Sequence, residues 1–409
     1  MKFKALFGLL AAGLMATSAA NATELEVTHW WTSGGEAAAV AEFAKAFDAS
    51  GDKWIDGAIA GSGGTARPIM ISRITGGDPM GATQFNHGNQ ALELVEAGLM
   101  LDLTDVAEAN NWKEIIFPKS LLDACTVDGR IYCAPVNIHS PEWLWISNKV
   151  YEDIGIPVPK NWNEFVASAP QVEAAGKIPL ALGNQPWQSN LAFGAITTAV
   201  AGLDIWKAVN VQKDMGVAAG PEMAAVFEAA ASARKLAAKS TVQDWNQATN
   251  LVITDQAAGQ IMGDWAQGEF QVAQEVAGKD YTCLPGLGLN AYLSTGGDAF
   301  YFPKLDDDEK EAAQKRLAAL LVSPKVQVAF NLKKGSLPIR GDVDLSAAND
   351  CMKKGLDLLA SGNILPSGDM VWSPDVMTQA ADLMVEFWKS DMPAGEAHKR
   401  WVAILETGL

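Results

Sequence analysis

From Leu25 to Trp31 the chain alternates apolar and polar side chains, the period of two that predicts a strand with Leu25, Val27, His29 and Trp31 on one face. The period lengthens directly afterwards. Ser33-Gly34-Gly35-Glu36 has the form of a capping box, and Ala37, Val40, Phe43, Ala44 and Phe47 then line one stripe of a helix reaching Ala49. Helical spacing returns over 89–98, 162–174, 221–238 and 308–321, and Ser323-Pro324 and Ser373-Pro374 each set a capping residue before a first-turn proline. Apolar runs at 56–60, 131–136, 143–147, 178–182 and 299–302 predict further strands between these helices. Strands mixed with helices in this way predict an α/β architecture. No internal repeat, low-complexity tract or long polar linker interrupts the pattern. Two lobes with the chain crossing between them account for that continuity, because no single linker then separates the domains.

The first residues carry a different pattern. Lys2 and Lys4 precede an apolar run from Ala5 to Ala20, and Ala20-Asn21-Ala22 supplies a small-x-small cleavage site. This predicts a secretory signal peptide over residues 1–22, cleaved near Ala22, and a soluble periplasmic chain starting near Thr23. The run is short for a bilayer span, which needs about 20 residues, and no cysteine near the site offers a lipid attachment point. Roughly 390 residues remain, more than one core usually holds, which again favours two domains.

Composition narrows the chemistry. Four cysteines, Cys125, Cys133, Cys283 and Cys351, are even in number and fit an oxidising compartment. The expected disulfides join Cys125 to Cys133 across a turn at Asp128-Gly129, where the two sit opposite if the loop holds three residues, and Cys283 to Cys351. The order of the cysteines does not by itself fix that connectivity. There is no CxxC, and His29, His87, His139 and His398 are scattered, so no metal site is predicted. The formal net charge is −17 and becomes more negative by two when Lys2 and Lys4 leave with the leader. No stretch concentrates Lys and Arg, which argues against nucleic acid or anionic lipid as a partner. The acidity fits a neutral or cationic ligand.

Catalytic and cofactor motifs are absent. The chain has no GxSxG elbow, no HExxH helix and no GxxxxGK[ST] phosphate loop. Gly61-Ser62-Gly63-Gly64 lacks the lysine of a phosphate loop and reads as a plain turn, and no helix pattern follows Gly286-Leu287-Gly288. No cofactor and no catalytic residue are therefore assigned. With 48 acidic residues, counting neither supports nor removes a glycosidase-like carboxylate pair. A secreted carbohydrate-active enzyme stands as the rival to a binding protein.

Tryptophan points further. It outnumbers tyrosine 14 to 5, and several indoles fall where the pattern turns. Trp30 and Trp31 end a strand before glycines, Trp187 follows Gln185-Pro186, Trp245 follows a helix, and Trp265 sits in Gly263-Asp264-Trp265. A pyranose packs its C–H faces on indole while its hydroxyls need directional polar partners. A cleft offering both is a sugar site; indoles filling a core are the competing reading. Trp30 and Trp31 reach one ligand together only if the strand ends there, since adjacent strand residues point to opposite faces.

Several segments, in order, resemble the extracellular solute-binding proteins of ABC-type sugar importers, in the branch with maltose-binding and glucose-binding members. They include Gly98-Leu99 through Leu101-Asp102-Leu103-Thr104, Asp128-Gly129-Arg130-Ile131-Tyr132-Cys133-Ala134-Pro135, and Asn148-Lys149 with Gly155-Ile156-Pro157 and Asn161-Trp162-Asn163-Glu164-Phe165. Gly263-Asp264-Trp265-Ala266-Gln267-Gly268-Glu269-Phe270 and Lys334-Gly335-Ser336-Leu337-Pro338-Ile339-Arg340 complete the likeness, which spans nearly the whole mature chain. The resemblance implies a two-lobed periplasmic binding protein fold with an interlobe cleft, crossing hinge segments and closure on a sugar. Its implied first lobe is 23–135 with about 290–335, and its second about 136–289 with 336–409.

The same resemblance implies site roles. Trp30 and Trp31 stack on sugar, Glu36 accepts hydroxyl hydrogen bonds, and His87 stands where relatives carry Lys or His. Trp265 supplies a second stacking wall and Trp245 a third, while Asp298 and Lys334 hold hydroxyls from opposite sides; His139 and Trp187 are further candidates. The implied partners are a glucose-like monosaccharide and the membrane permease subunits of an ABC importer, with the receptor a monomer. One segment departs from the glucose-binding pattern. Shortly after Ile364-Leu365-Pro366-Ser367 those members often carry a His, where this chain reads Asp369-Met370-Val371-Trp372. Trp372 as an added stacking face would admit another epimer, a pentose or a disaccharide.

Overall fold

The computed structural model describes residues 22–409. The expected leader lies outside the described residues except for Ala22. Two sheets organise the rest. The first has the order Lys53–Ala58, Glu24–His29, Ala82–Asn86, Asp298–Tyr301, Cys133–Pro135. Its first three strands run parallel, and Asp298–Tyr301 enters antiparallel to both neighbours from a distant part of the chain. The second sheet has the order Tyr281–Pro285, Trp143–Ser147, Ala257–Met262, Ile178–Ala181.

Each sheet has its own apolar packing. Trp31, Phe43, Phe47, Phe85, Phe300 and Phe330 belong to the first core. The second sheet is covered on both sides, so its central strands are buried at every position and read as continuous apolar runs. Strand alternation sorts their side chains: Leu144 and Ile146 enter one core with Phe193, Phe227 and Phe387, while Trp143 and Trp145 enter another with Trp245, Phe270 and Tyr281.

Three stretches cross between the sheets side by side. Ile138 pairs with Leu337, and His139 pairs with Gly296. A short parallel ladder, Leu293–Ser294 with Ile364–Leu365, continues the junction. After this crossing the chain does not pass straight to the second sheet. Leu337, Ile339, Ala348 and Met352 pack in the first core, Cys351 packs in the aromatic core of the second sheet, and from Val371 onward the chain joins that sheet's other core.

Both expected disulfides form, Cys125 with Cys133 and Cys283 with Cys351. The hairpin between the first pair is tighter than expected. Thr126 pairs with Ile131 and Val127 with Arg130, leaving a two-residue loop of Asp128 and Gly129 at φ of 50° and 77°. Cys125 therefore faces Tyr132, its carbonyl accepting the Tyr132 N–H at 2.9 Å, and the disulfide reaches one residue further.

Other local readings are corrected. Gly61 at φ 102° opens a helix, Ser62–Thr75, where a plain turn was expected. Trp187 lies in the first turn of the helix Pro186–Asn210, and Trp245, which follows the helix Pro221–Leu236, itself begins the helix Trp245–Ile253. Ser33 forms no capping box: its hydroxyl donates to the Glu36 carboxylate at 3.2 Å and caps no helical N–H.

Candidate solute-binding site

The site is built where the ends of strands from both sheets meet the crossing segments. Asp298 starts the last strand of the first sheet, and its N–H donates to Asn137 Oδ1 at 2.7 Å. Its carboxylate accepts from Gln84 Nε2 at 2.8 Å and Asn137 Nδ2 at 2.9 Å, with His139 Nε2 at 3.6 Å. Gln84 Oε1 in turn accepts the Trp30 N–H at 3.0 Å. A chain of polar groups thus runs from the first strand to the crossing segment.

A second charged pair lies beside it. The helix Pro324–Lys334 ends at Gly335, whose φ of 88° lets the chain turn away directly after the lysine. Lys334 Nζ donates to Glu36 Oε1 at 2.9 Å, with the two residues only 2% and 7% exposed. Lys334 is therefore no solvated helix-end charge. The ammonium also stands 5.7 Å from the Trp265 ring and 5.8 Å from the Trp31 ring.

Trp265 enters from the second sheet. A Cβ on Gly263 would fall 2.1 Å from the Trp265 ring, so glycine is required there for the indole to fold back over the backbone. His139 meets this indole edge-on at 5.0 Å, and Trp187 and Trp245 stand 6.2 Å and 6.4 Å away. Trp187 Nε1 donates to Gln185 Oε1 at 2.9 Å.

Electrostatics divide the carboxyls by role. Burial works against ionisation of Asp298, but His139, Lys334 and Asn137 outweigh it and hold the carboxyl well below its ordinary range. Burial opposes the cation of His139 as well, yet Asp298 beside it raises the imidazole. Burial raises Glu36, with Lys334 drawing it back, and pushes Asp264 up to about 7. His87, buried and near His139, falls to about 4 and stays neutral at pH 7.

Several buried polar atoms here have no protein partner: both ring nitrogens of His87, Nδ1 of His139, Oδ1 of Asp264 and Nε2 of Gln267. Such atoms are costly unless something polar satisfies them. No group of ligating side chains suited to a metal occurs among the described residues. The arrangement offers hydrogen bonds and an aromatic wall.

Residues 30–328 match the family of bacterial extracellular solute-binding proteins. The chain belongs to that family. Its members bind solutes and are not enzymes, which removes the rival reading. A relative from Rhizobium meliloti named a probable sugar-binding periplasmic protein is 35% identical over 364 residues, 88% of this chain and 87% of its own. The fold is similar to that of a chitin oligosaccharide binding protein, with a TM-score of 0.74 at 17% identity, over 94% of this chain and 98% of that one. It is equally similar to a solute receptor described as exclusive for β-D-galactopyranose, with a TM-score of 0.75 at 18% identity and the same coverage.

In this solute-binding protein the expected ligand residues separate. Glu36, His87, Asp298 and Lys334 come together with Trp265 and His139, and Trp245 and Trp187 back the Trp265 indole. Trp31 does not join them as an open face. It is 1% exposed and enclosed by Phe43, Phe300 and Phe330 at 5.2–6.2 Å, whereas Trp30 stays half-buried with its ring against Gly63. Opposite strand faces explain the split. Trp372 also belongs to a core, its Nε1 donating to Asn210 at 2.9 Å and Lys213 lying 3.0 Å over its ring. Gln84, Asn137, Asp264 and Gln267 were not expected. Asp264 and Gln267 stand inside the Gly263–Phe270 motif, but nothing local marks Gln84 or Asn137.

Proposed function

We propose that this chain is the periplasmic receptor of an ABC-type sugar importer and binds glucose or a similar monosaccharide between its lobes. The observation that carries the reading is the Trp265 indole, bordered by His139 and by the buried Lys334–Glu36 pair. The indole takes a sugar C–H face, and Asp298, Glu36, Lys334, His87 and His139 take hydroxyls. Trp30 contributes from the cleft edge, and Trp187 and Trp245 support Trp265 from behind. The lobes divide at 23–135 with about 290–335, and about 136–289 with 336–409, although part of 337–352 rests on the first core. The sugar-binding name of the Rhizobium meliloti relative and the galactopyranose preference of the structural neighbour favour this ligand class.

Intrinsic tryptophan fluorescence and the melting temperature, read across mono- and disaccharides, test the reading. A binding sugar shifts the emission and raises the midpoint. Trp265→Ala should weaken that sugar about tenfold or more while the sugar-free chain, at a lower midpoint for the lost ring packing, still unfolds cooperatively. A panel that moves neither signal refutes the sugar assignment.

A further inference from the structure

The helix Gly34–Ala49 begins without a local cap, because the Ser33 hydroxyl is turned to the Glu36 carboxylate. First-turn N–H groups need an acceptor, and an anion there also meets the positive end of the helix. The Gly35 N–H donates at 2.7 Å to Oε1 of Glu269, 234 residues away in sequence. Glu269 stands on the helix Ala266–Val272, whose Ala266 and Phe270 pack in the aromatic core of the second sheet. The helix being capped packs in the first core through Ala39, Val40, Phe43 and Phe47. One lobe therefore caps a helix of the other.

The backbones at this point approach too closely for side chains. A Cβ on Gly35 would fall 2.4 Å from the carbonyl carbon of Gly268. A Cβ on Gly268 would fall 3.0 Å and 3.3 Å from the carbonyl oxygens of Lys333 and Lys334. The contact adjoins the Lys334–Glu36 pair and Trp265, and a hinge opening of the lobes would break it.

We propose that Glu269 is a positioning residue that latches the lobes closed by capping the helix Gly34–Ala49 in trans, with Gly35 and Gly268 allowing the approach. This inference rests on the sugar-receptor reading for its link to affinity, but not for the latch itself. Ligand affinity scales with the population of the closed, binding-competent state. Loss of a charge-assisted cap lowers that population, and the effect falls mainly on the release rate.

Two spin labels read lobe separation directly, at Lys45→Cys on the capped helix and Glu173→Cys on the second lobe, both exposed. The native cysteines are all in disulfides and compete for no label. Glu269→Ala, Glu269→Gln and Gly35→Ala are compared with the parent, each without sugar and with D-glucose, D-galactose, D-xylose or maltose. The expected result is a longer label distance or a dissociation constant about tenfold higher for Glu269→Ala, with partial recovery in Glu269→Gln, which keeps an acceptor oxygen. Gly35→Ala favours helix, so its sugar-free melting midpoint should hold while its lobes stand further apart. A merely structural role would not separate those two readouts. Equal distances and equal dissociation constants in parent and Glu269→Ala overturn the latch. A Glu269-dependent distance with no sugar bound by the parent keeps the latch and removes the sugar reading; equal distances with no sugar bound remove both.

Discussion

Single residues show how far identity and position can part. Trp30 and Trp31 are the same side chain one residue apart, yet one stays half-buried beside Gly63 and the other fills a core, because consecutive residues leave the strand end on opposite sides. The sequence marks both as candidates with equal weight. Glu142 shows the converse, a functional-looking environment with no sequence signal. Its Oε1 accepts the Ser294 N–H at 3.0 Å, its Oε2 has no partner, and burial pushes it up to about 8. The folded chain thus retains this proton above pH 4.5 while the unfolded chain sheds it. The unfavourable contribution grows from about pH 4.5 and levels off above about 8, so stability declines with rising pH across that window. Glu142→Gln should remove up to about 1.4 kcal/mol per pH unit of that decline. Urea unfolding of the variant and its parent at pH 5, 6.5 and 8 checks it, and parallel curves would show that Glu142 ionises freely.

Elements were legible where a stripe or an alternation separates one face from the other, or where a short apolar run marks a strand covered on both sides. The strands near Leu25, Trp143, Ile178 and Phe300 and the helices at 162–174, 221–236 and 308–321 follow the periods read from sequence. The helix Pro186–Asn210 did not, because it is apolar on most sides and its turns break at Gly202, φ 86°. Ser62–Thr75 was hidden by its opening glycines, which look like a turn until packing extends them. Covalent ties act at this scale too. The Cys283–Cys351 disulfide spans 68 residues and joins the helix Asp350–Ser361 to the strand Tyr281–Pro285, whereas Cys125–Cys133 spans 8. Loop-closure entropy assigns about 4 kcal/mol to the first and about 2.5 kcal/mol to the second. Replacing each cysteine pair with alanine and measuring the urea midpoint should therefore show the larger loss for Cys283 and Cys351. A larger loss for the short hairpin would mean that native packing, not chain entropy, sets the order.

Across the whole molecule, the site exists only because three stretches of chain return to the junction. Its groups come from residues 30–36, 84–87, 137–139, 264–269, 298 and 334, none of which forms a site with its sequence neighbours alone. The interlobe contact at Gly35 and Gly268 predicts that sugar shifts the solution ensemble toward the compact form. Small-angle scattering should record a smaller radius of gyration at saturating sugar, and the unfolding free energy should rise by an amount tracking ligand excess over Kd, about 2.7 kcal/mol at a hundredfold. A radius that does not change on binding would place recognition within one lobe.

By itself the sequence determined the α/β class, the principal strands and helices, an even set of four cysteines suited to disulfides, and a set of aromatic and polar residues suited to a sugar. Those follow from local periodicity, turn chemistry and residue type. The tertiary structure decided which tryptophan is enclosed in the core, that Glu36 pairs with Lys334 instead of closing a capping box, and that Glu269 provides the missing cap from the other lobe. Those outcomes depend on groups up to 298 positions apart being brought within hydrogen-bonding distance. Burial then sets their charge, and no local pattern encodes burial at a junction between lobes.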